Sequence, residues 1–488
     1  MKHKVILRAD GNNFIGVGHL HRMLSLANML CKNFECVFVS HEIPDFLLQE
    51  LQLLSVPFIK VGLIAYKMPD ERKVGDEVAF DMDVILQGTE IVVLDGYWFG
   101  KKYQQSIKDK GCTLVYIDDL IEEGNIADII INHSMGVKVN DYKKISAGTC
   151  IYAGSKYSLI NVPEKFRHQQ PPENIYSQLL ISMGGADPLN YTCKIVEGYK
   201  TFINRFEKVV IVAGNAYTYL QQLKTSVAGF PQVQILQDVP KQDFLTVMQQ
   251  STAAILSAST VAVEYAHVGG VLAVIKTAVN QKYLYKGLIE NGVALPVEKM
   301  ASASEKEMVK LQANQKKIFD GRSAERFIKL FNELVIQSNF SFINAQEEHL
   351  DITYQWAASP VVRAYSFNQN PIVFEEHQHW FLNKIIQPGC IYLLAVWKND
   401  IVGSLRFDIT DNNALISYLV SPPYQGKGMG RVLLAKGLDY LAQHNTSVTT
   451  ATGYVMPQNT ASVKVFERLG FSSTVENNQL IFLKNIYR

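Results

Sequence analysis

Short apolar runs rich in β-branched residues recur along residues 4–275, each closing on a polar residue or glycine, with helical stretches between several of them. A first group lies at 4–10, 36–40, 91–96, 113–119 and 127–132, and a second at 178–182, 209–213, 233–236, 253–256 and 271–275. This alternation predicts parallel sheets covered on both faces. Two groups predict two doubly wound domains with a cleft between them, and the proline- and charge-rich stretch 163–173 is a natural boundary. In such sheets ligands bind at the carboxyl ends of the strands. Asp10, His19, Asp95, Tyr97, Asp118, Asp119, Asn132 and His133 fall at or just beyond those ends. Asp118 and Asp119, directly before Leu120, read as caps rather than catalytic groups.

Within the first group, Gly16-Val17-Gly18-His19 joins a strand to a helix. Backbone N–H groups at a helix N-terminus point at an anion and disfavour an imidazolium. His19 is therefore placed to take a proton, activating water or helping to expel a leaving group. Either Asp10 or Asp95 is available to orient it, and the residues leave both open. In the second group, Ser257-Ala258-Ser259-Thr260 precedes a helix, so hydroxyls and free N–H groups face a diphosphate together. Glu264 lies one helical turn further on, where a carboxylate can hold a ribose diol. Asn280-Gln281 falls at the far rim of the same cleft, and Gly184-Gly185 lets backbone approach a ligand closely.

A chain of 488 residues is too long for one ordinary core. Its 47 Lys and Arg against 46 Asp and Glu give no electrostatic reason to expect nucleic acid or an anionic membrane as partner. The six cysteines, Cys31, Cys36, Cys112, Cys150, Cys193 and Cys390, are scattered without metal-ligand spacing and fit a reducing compartment. No signal-peptide core or bilayer-length apolar run is present, so a cytoplasmic protein is expected. No Asp-x-Asp stands where a catalytic divalent ion would be required, and a metal-independent reaction is expected.

Beyond a helical stretch at 304–337, broken at Asp320-Gly321, residues 338–349 are polar and aperiodic and are expected to be a linker. A new domain then opens. Two strands flank Lys398-Asn399-Asp400, a hairpin signal, and a third at 414–420 runs into Pro422-Pro423-Tyr424-Gln425-Gly426-Lys427-Gly428-Met429-Gly430-Arg431 and an amphipathic helix. Glycines at alternate positions before a helix expose successive N–H groups to a pyrophosphate, with Lys427 and Arg431 adding charge.

The ordered set Arg8-Ala9-Asp10, Gly16-x-Gly18-His19-x-x-Arg22, Leu94-Asp95-Gly96-Tyr97, Tyr116-Ile117-Asp118-Asp119, Ser182-Met183-Gly184-Gly185-Ala186-Asp187, Ser259-Thr260 with Glu264, and Asn280-Gln281 resembles the UDP-sugar hydrolases of pseudaminic acid biosynthesis. Those are in turn similar to GT-B glycosyltransferases. The resemblance covers 1–337. It implies hydrolysis of UDP-2,4-diacetamido-2,4,6-trideoxy-β-L-altropyranose with His19 as catalytic base. It also implies a UDP-sugar site that includes Asp10, Gly16, Gly18, Arg22, Asp95, Tyr97, Gly184, Gly185, Asp187, Ser259, Thr260, Glu264 and Gln281.

Residues 350–488 resemble the GNAT acetyltransferases through Gln425-Gly426-Lys427-Gly428-Met429-Gly430, Asn459-Thr460-Ala461-Ser462 and Phe466-Glu467-Arg468-Leu469-Gly470-Phe471. This implies acetyl-CoA as cosubstrate, held by Leu419, Val420, Gln425, Gly426, Lys427, Gly428, Gly430, Arg431 and Asn459. Many members carry a tyrosine where this chain has Phe466, so the general acid is left to solvent or to another hydroxyl such as Tyr454. Arg363-x-x-Ser366 with Ile372, His377 and Trp380 looks like enzymes that acetylate amino sugars on UDP, with His377 open to a role as base or as a packing residue.

The expected architecture is therefore α/β: two Rossmann-like, GT-B-like domains at 1–165 and 166–337, a linker at 338–349, and an α+β GNAT domain at 350–488. The expected function is bifunctional, acetylating the 4-amino group of a UDP-amino sugar and then hydrolysing the product, with pathway enzymes as possible partners. The rivals are a glycosyltransferase fused to an acetyltransferase, a related spore-coat or surface-polysaccharide enzyme, and a nucleotide-sugar sensor.

Overall fold

The computed structural model describes residues 2–12, 17–62, 78–143, 145–146, 148–167, 174–185, 187–214 and 216–486. They form two compact units, Met1–Ile328 and Lys329–Arg488.

The first unit holds two parallel sheets. One comprises β1 (Lys4–Ala9), β2 (Glu35–Ser40), β3 (Phe58–Lys60), β4 (Ile91–Asp95), β5 (Thr113–Ile117), β6 (Ile129–Asn132) and β7 (Cys150–Ala153) in the order β3-β2-β1-β4-β5-β6-β7. The other comprises β8 (Gln178–Ser182), β9 (Lys208–Ala213), β10 (Val233–Gln237), β11 (Ala253–Ser257), β12 (Val271–Ile275) and β13 (Leu295–Pro296) in the order β10-β9-β8-β11-β12-β13. Strands β1, β4, β8 and β11 are buried almost throughout, as all-parallel strands covered on both faces must be. In each sheet the order reverses once, between β1 and β4 and between β8 and β11, and chains leaving such adjacent strands in opposite directions open a crevice at their carboxyl ends. Both Rossmann-like sheets expected for this region are present.

The second unit is built on one mixed sheet. Its strands are β14 (Phe340–Asn344), β15 (Cys390–Trp397), β16 (Asp400–Thr410), β17 (Asn413–Val420), β18 (Thr450–Val455), β19 (Ser472–Glu476) and β20 (Gln479–Asn485), in the order β14-β15-β16-β17-β18-β20-β19. Only β17 and β18 pair in parallel, and their register stops at Ile416↔Gly453 although both strands run on. Beyond that point the two strands diverge and leave a slot in the sheet. The stretch 338–349, expected as a linker, instead carries β14, paired antiparallel with β15 from Phe340↔Trp397 to Asn344↔Leu393. Phe340 joins the core, and edge pairing rather than alternation of burial makes this segment a strand. No helix among the described residues is long and apolar enough to cross a membrane.

Candidate active sites

The helix Gly18–Leu30 follows β1, and no side chain caps its first turn. Gly18 borders open space: nothing lies within 4 Å of the position a Cβ would take. His19 and Arg22, three residues apart, share the helix face turned toward the end of β4. There His19 Nδ1 lies 2.6 Å from Asp95 Oδ1. Arg22 donates from Nε to Asp95 Oδ2 at 2.8 Å and from Nη2 to Oδ1 at 2.6 Å, and Nη2 is also 2.6 Å from His19 Nδ1. Arg22 Nη1 donates to Asp119 Oδ2 at 2.9 Å. Burial alone would raise the pKa of Asp95, but the Arg22 guanidinium and His19 outweigh it and hold the carboxyl well below the usual carboxylate range. An ionised Asp95 accepts a proton held at Nδ1, which leaves the lone pair on Nε2 for general-base work, while Arg22 Nη2, a donor only, competes for the same Nδ1.

Around this pair, Tyr97 Oη donates to Asp119 Oδ2 at 3.1 Å and accepts from Asn280 Nδ2 at 2.9 Å, joining the end of the first sheet to the loop after β12. The rings of Tyr97 and Trp98 meet His19 edge-on at 4.8 and 5.4 Å. His133 is buried, its Nε2 lacks a partner, and burial with the nearby Arg22 charge pushes it down to about 4.

The structure separates the residues expected at this site. Asp95, not Asp10, meets His19. Asp10 is instead engaged by Arg8 Nη1 at 2.6 Å, Ser40 Oγ at 3.1 Å and the His41 N–H at 2.7 Å. Arg22, expected on the ligand, points its guanidinium at two carboxylates. Asp118 does cap, accepting from the N–H groups of Leu120, Ile121 and Glu122, whereas Asp119 does not. Gly16 lies outside the described residues.

At the other strand-order reversal, Gly184 adopts φ +92°, and a Cβ there would stand 3.9 Å from Ser257 Oγ. The turns after β8 and β11, with Gly185 in the first, are thus neighbours. Ser257 and Ser259 share a hydrogen bond at 3.0 Å, and Ser259 places no side-chain cap on the helix Thr260–Val268. Its first N–H groups therefore lack a side-chain cap, the arrangement that suits an anion. Three residues of the expected site have protein partners. Glu264 pairs with Lys241. Asp187 accepts from the N–H groups of Tyr191 and Thr192, both at 2.8 Å, and so caps the helix Tyr191–Gly198. Gln281 folds back on Thr277, accepting from its N–H at 2.7 Å. Asn280, quoted in the sequence beside Gln281, is the residue that reaches the first sheet.

In the second unit, Arg363, Ser366, Ile372, His377 and Trp380 line one cavity of about 360 Å³ with Leu419 of β17. His377 sits on the helix Phe374–Ile386, with Nε2 3.3 Å from Thr353 Oγ1. That hydroxyl has the carbonyls of His349 and Leu350 within reach at 3.0 and 2.9 Å; when its one proton goes to either, Nε2 is the donor to it and Nδ1 keeps the lone pair. Burial lowers the pKa of His377, which favours this neutral form.

The turn 425–430 precedes the helix Met429–His444, with Gly426 and Gly428 at φ +75° and +86°. A side chain at either position would be strained. Lys427 Nζ lies 5.2 Å over the Tyr424 ring, Gln425 Nε2 donates to the Val420 carbonyl at 3.0 Å, and Arg431 pairs with Glu333. Asn459, expected on the cosubstrate, caps the helix Thr460–Arg468 through the Ser462 N–H at 3.1 Å. Phe466 is buried and stacks on Phe482 at 4.8 Å, while Tyr454 is 45% exposed. The sequence reading missed Tyr418 beside the slot. Its hydroxyl meets Ser462 Oγ at 3.0 Å, and burial pushes its pKa up to about 12. Among the described residues no group of three or more His, Cys, Asp or Glu side chains is placed to hold a metal ion.

Comparison with known proteins bears on both units. Residues 353–471 match the Acetyltransferase (GNAT) family. An uncharacterized protein of Methanocaldococcus jannaschii, MJ1062, is 22% identical over 506 residues, spanning 99% of this chain and 100% of that protein. The UDP-2,4-diacetamido-2,4,6-trideoxy-beta-L-altropyranose hydrolase of Campylobacter jejuni is 25% identical over 263 residues, 53% of this chain and 85% of that enzyme. Among solved structures, Vibrio cholerae spermidine N-acetyltransferase in complex with CoA and spermine is 16% identical, covering 30% of this chain and 96% of its own, with a TM-score of 0.28. The protein therefore carries a GNAT acetyltransferase domain at its C-terminus, fused to a segment that is a partial homologue of the UDP-diacetamido-altropyranose hydrolase.

Proposed function

We propose that the chain runs two consecutive reactions in the cytoplasm. The C-terminal domain acetylates the 4-amino group of UDP-4-amino-4,6-dideoxy-N-acetyl-β-L-altrosamine with acetyl-CoA. The N-terminal segment, 1–337, hydrolyses the resulting UDP-2,4-diacetamido-2,4,6-trideoxy-β-L-altropyranose. The observation that carries the hydrolytic half is the 2.6 Å contact of His19 with the buried, ionised Asp95 at a strand-order reversal. His19 Nε2 takes a proton from water as its oxygen attacks the anomeric carbon. The C–O bond to UDP breaks with both electrons going to the phosphate oxygen. Ser259, Thr260, Gly184 and Gly185 receive that charge at the N-terminus of the helix Thr260–Val268. No resident metal enters this scheme.

For acetyl transfer, the amino sugar occupies the cavity lined by Arg363, Ser366 and Trp380, and His377 Nδ1 takes the ammonium proton. The freed amine attacks the thioester carbonyl, aligned near Leu419 and Val420, the C–S bond breaks to give a thiolate, and the nitrogen loses its second proton to the Tyr418 oxygen as that hydroxyl gives up its own. Tyr418, rather than the exposed Tyr454, protonates the departing sulfur; its raised pKa keeps it in the acid form. The turn 425–430 holds the pyrophosphate of the cosubstrate. Incubating the full chain with the UDP-4-amino sugar, with and without acetyl-CoA, and following products by mass tests the scheme. An acetylated UDP-sugar followed by free diacetamido sugar and UDP is expected. Release of UDP only when a glycan or lipid acceptor is supplied, with the sugar passed to that acceptor, would overturn it.

A further inference from the structure

The turn 425–430 carries an anion of the chain's own. The helix Ser323–Ser338 leads from the first unit into the second, and its Glu333 is 4% exposed with its carboxylate paired to Arg431. Glu333 Cγ lies 3.3 Å, and Oε1 3.8 Å, from the point where a Cβ on Gly428 would stand. Gly428 is also the N-cap of the helix Met429–His444, which has no side-chain cap of its own. The carboxylate thus lies at the glycine that opens the helix, where the dipole and the turn's N–H groups favour negative charge. Lys329 is pushed down by burial and by Arg468, Arg431 and Lys464 around it, with Glu333 as the opposing influence. Glu333 is the carboxylate that opposes these cations at Lys329.

We propose that Glu333 holds the place of a phosphate group on this turn, and that acyl-CoA binds by displacing the carboxylate from Arg431. The inference rests on the acetyl-CoA reading above and adds a competitor to it. Like charge at one spot cannot be accommodated twice, so a phosphate arriving at Gly428 must drive the carboxylate out or be refused. Lys329, Arg431, Lys464 and Arg468 then serve the several phosphates that coenzyme A brings. Because Glu333 rides on the helix leading from one unit into the next, its release is a local event placed on that connecting element.

Isothermal titration of the full chain with acetyl-CoA, and with S-acetylpantetheine, which lacks phosphates, tests this. Glu333→Gln keeps the size and removes the charge. It is expected to bind acetyl-CoA about tenfold more tightly than wild type, with no change for S-acetylpantetheine. Acetyl-CoA binding to the variant alone would be the extreme form of the expected result. Equal or weaker binding of acetyl-CoA by the variant, with wild type binding normally, overturns the displacement and leaves the acetyl-CoA reading standing. An equal gain for both donors overturns it as well, since the effect would then be steric. Failure of both proteins to bind acetyl-CoA overturns the displacement together with that reading. Should Glu333→Gln not fold, Glu333→Asp, which withdraws the carboxylate by one methylene, is expected to bind acetyl-CoA more tightly than wild type, and unchanged affinity would overturn the proposal.

Discussion

Replacing Asp95 by Asn isolates what the His19 pair contributes. The side chain is fully buried and meets His19 and two nitrogens of Arg22. Asn keeps the shape but offers one carbonyl acceptor and one NH2 donor. With the carbonyl turned to Arg22, the amide NH2 faces His19 Nδ1, draws its lone pair and moves the imidazole proton to Nε2. The base is then lost where it is needed, and general-base catalysis is worth about 10²–10⁴-fold. Hydrolysis should fall by that factor at pH 7 while acetyl transfer stays at the wild-type rate. Stability should fall as well. Breaking a buried ion pair from one side costs about 3–5 kcal/mol, and the low end is expected because Asp119 still neutralises Arg22. The pH dependence has a definite sign. Asp95 is depressed in the folded state, so its stabilisation is present above the unfolded value near 4 and is lost as pH falls toward the folded value. Asp95→Asn should therefore lose less stability than wild type between about pH 4 and pH 2. UDP release, acetyl transfer and urea unfolding at several pH values measure all three effects. A folded Asp95→Asn protein that hydrolyses within about twofold of wild type would refute the reasoning, as general-base loss cannot be that small.

His19→Ala should abolish UDP release and spare acetyl transfer; equal loss of both activities in product assays would refute separate sites. Gly428→Trp should block acetyl-CoA binding by calorimetry, because Gly428 adopts φ +86° with Glu333 already against it. Chelation should leave hydrolysis unchanged, and a divalent-ion requirement in the UDP-release assay would overturn the proposed mechanism. His267 is buried and its pKa lowered to about 4, so the stability it supplies is complete above about 6.5 and is lost as pH falls from there to about 4. His267→Phe should flatten the fall of Tm across that window, and an unaltered slope would assign the acid sensitivity elsewhere.

The strands of both parallel sheets were legible because burial on both faces demands continuous apolar runs. Their pairing order was not, since it depends on contacts between distant segments. The two reversals nonetheless fell beside loops the sequence had singled out, Gly18-His19 and Ser257 to Thr260. Asp119 was misread because Asp118 and Asp119 look alike in sequence. Both lie just past the end of the strand Thr113–Ile117, where Asp118 turns back to Leu120, Ile121 and Glu122 while Asp119 reaches Arg22. Asp187 and Asn459 belong to resembling motifs yet serve helix N-termini, a use that composition does not distinguish from ligand binding. The cavity at Arg363, Ser366, Ile372, His377 and Trp380 was legible as a set of residues, whereas Tyr418 was hidden in an apolar strand.

The pairing of β14 with β15 decides where the acetyltransferase domain can be cut. A fragment starting at Leu350, or at residue 353 where the family match begins, would strip Phe340, Phe342 and their backbone partners from the strand Cys390–Trp397. That strand would become a naked outer margin with apolar side chains and unanswered N–H and C=O groups, ready to recruit another chain. Starting upstream of Phe340 but inside the helix Ser323–Ser338 would keep the margin covered and sever the turns that carry Glu333. An autonomous fragment should therefore begin before Ser323, so that helix and strand travel together.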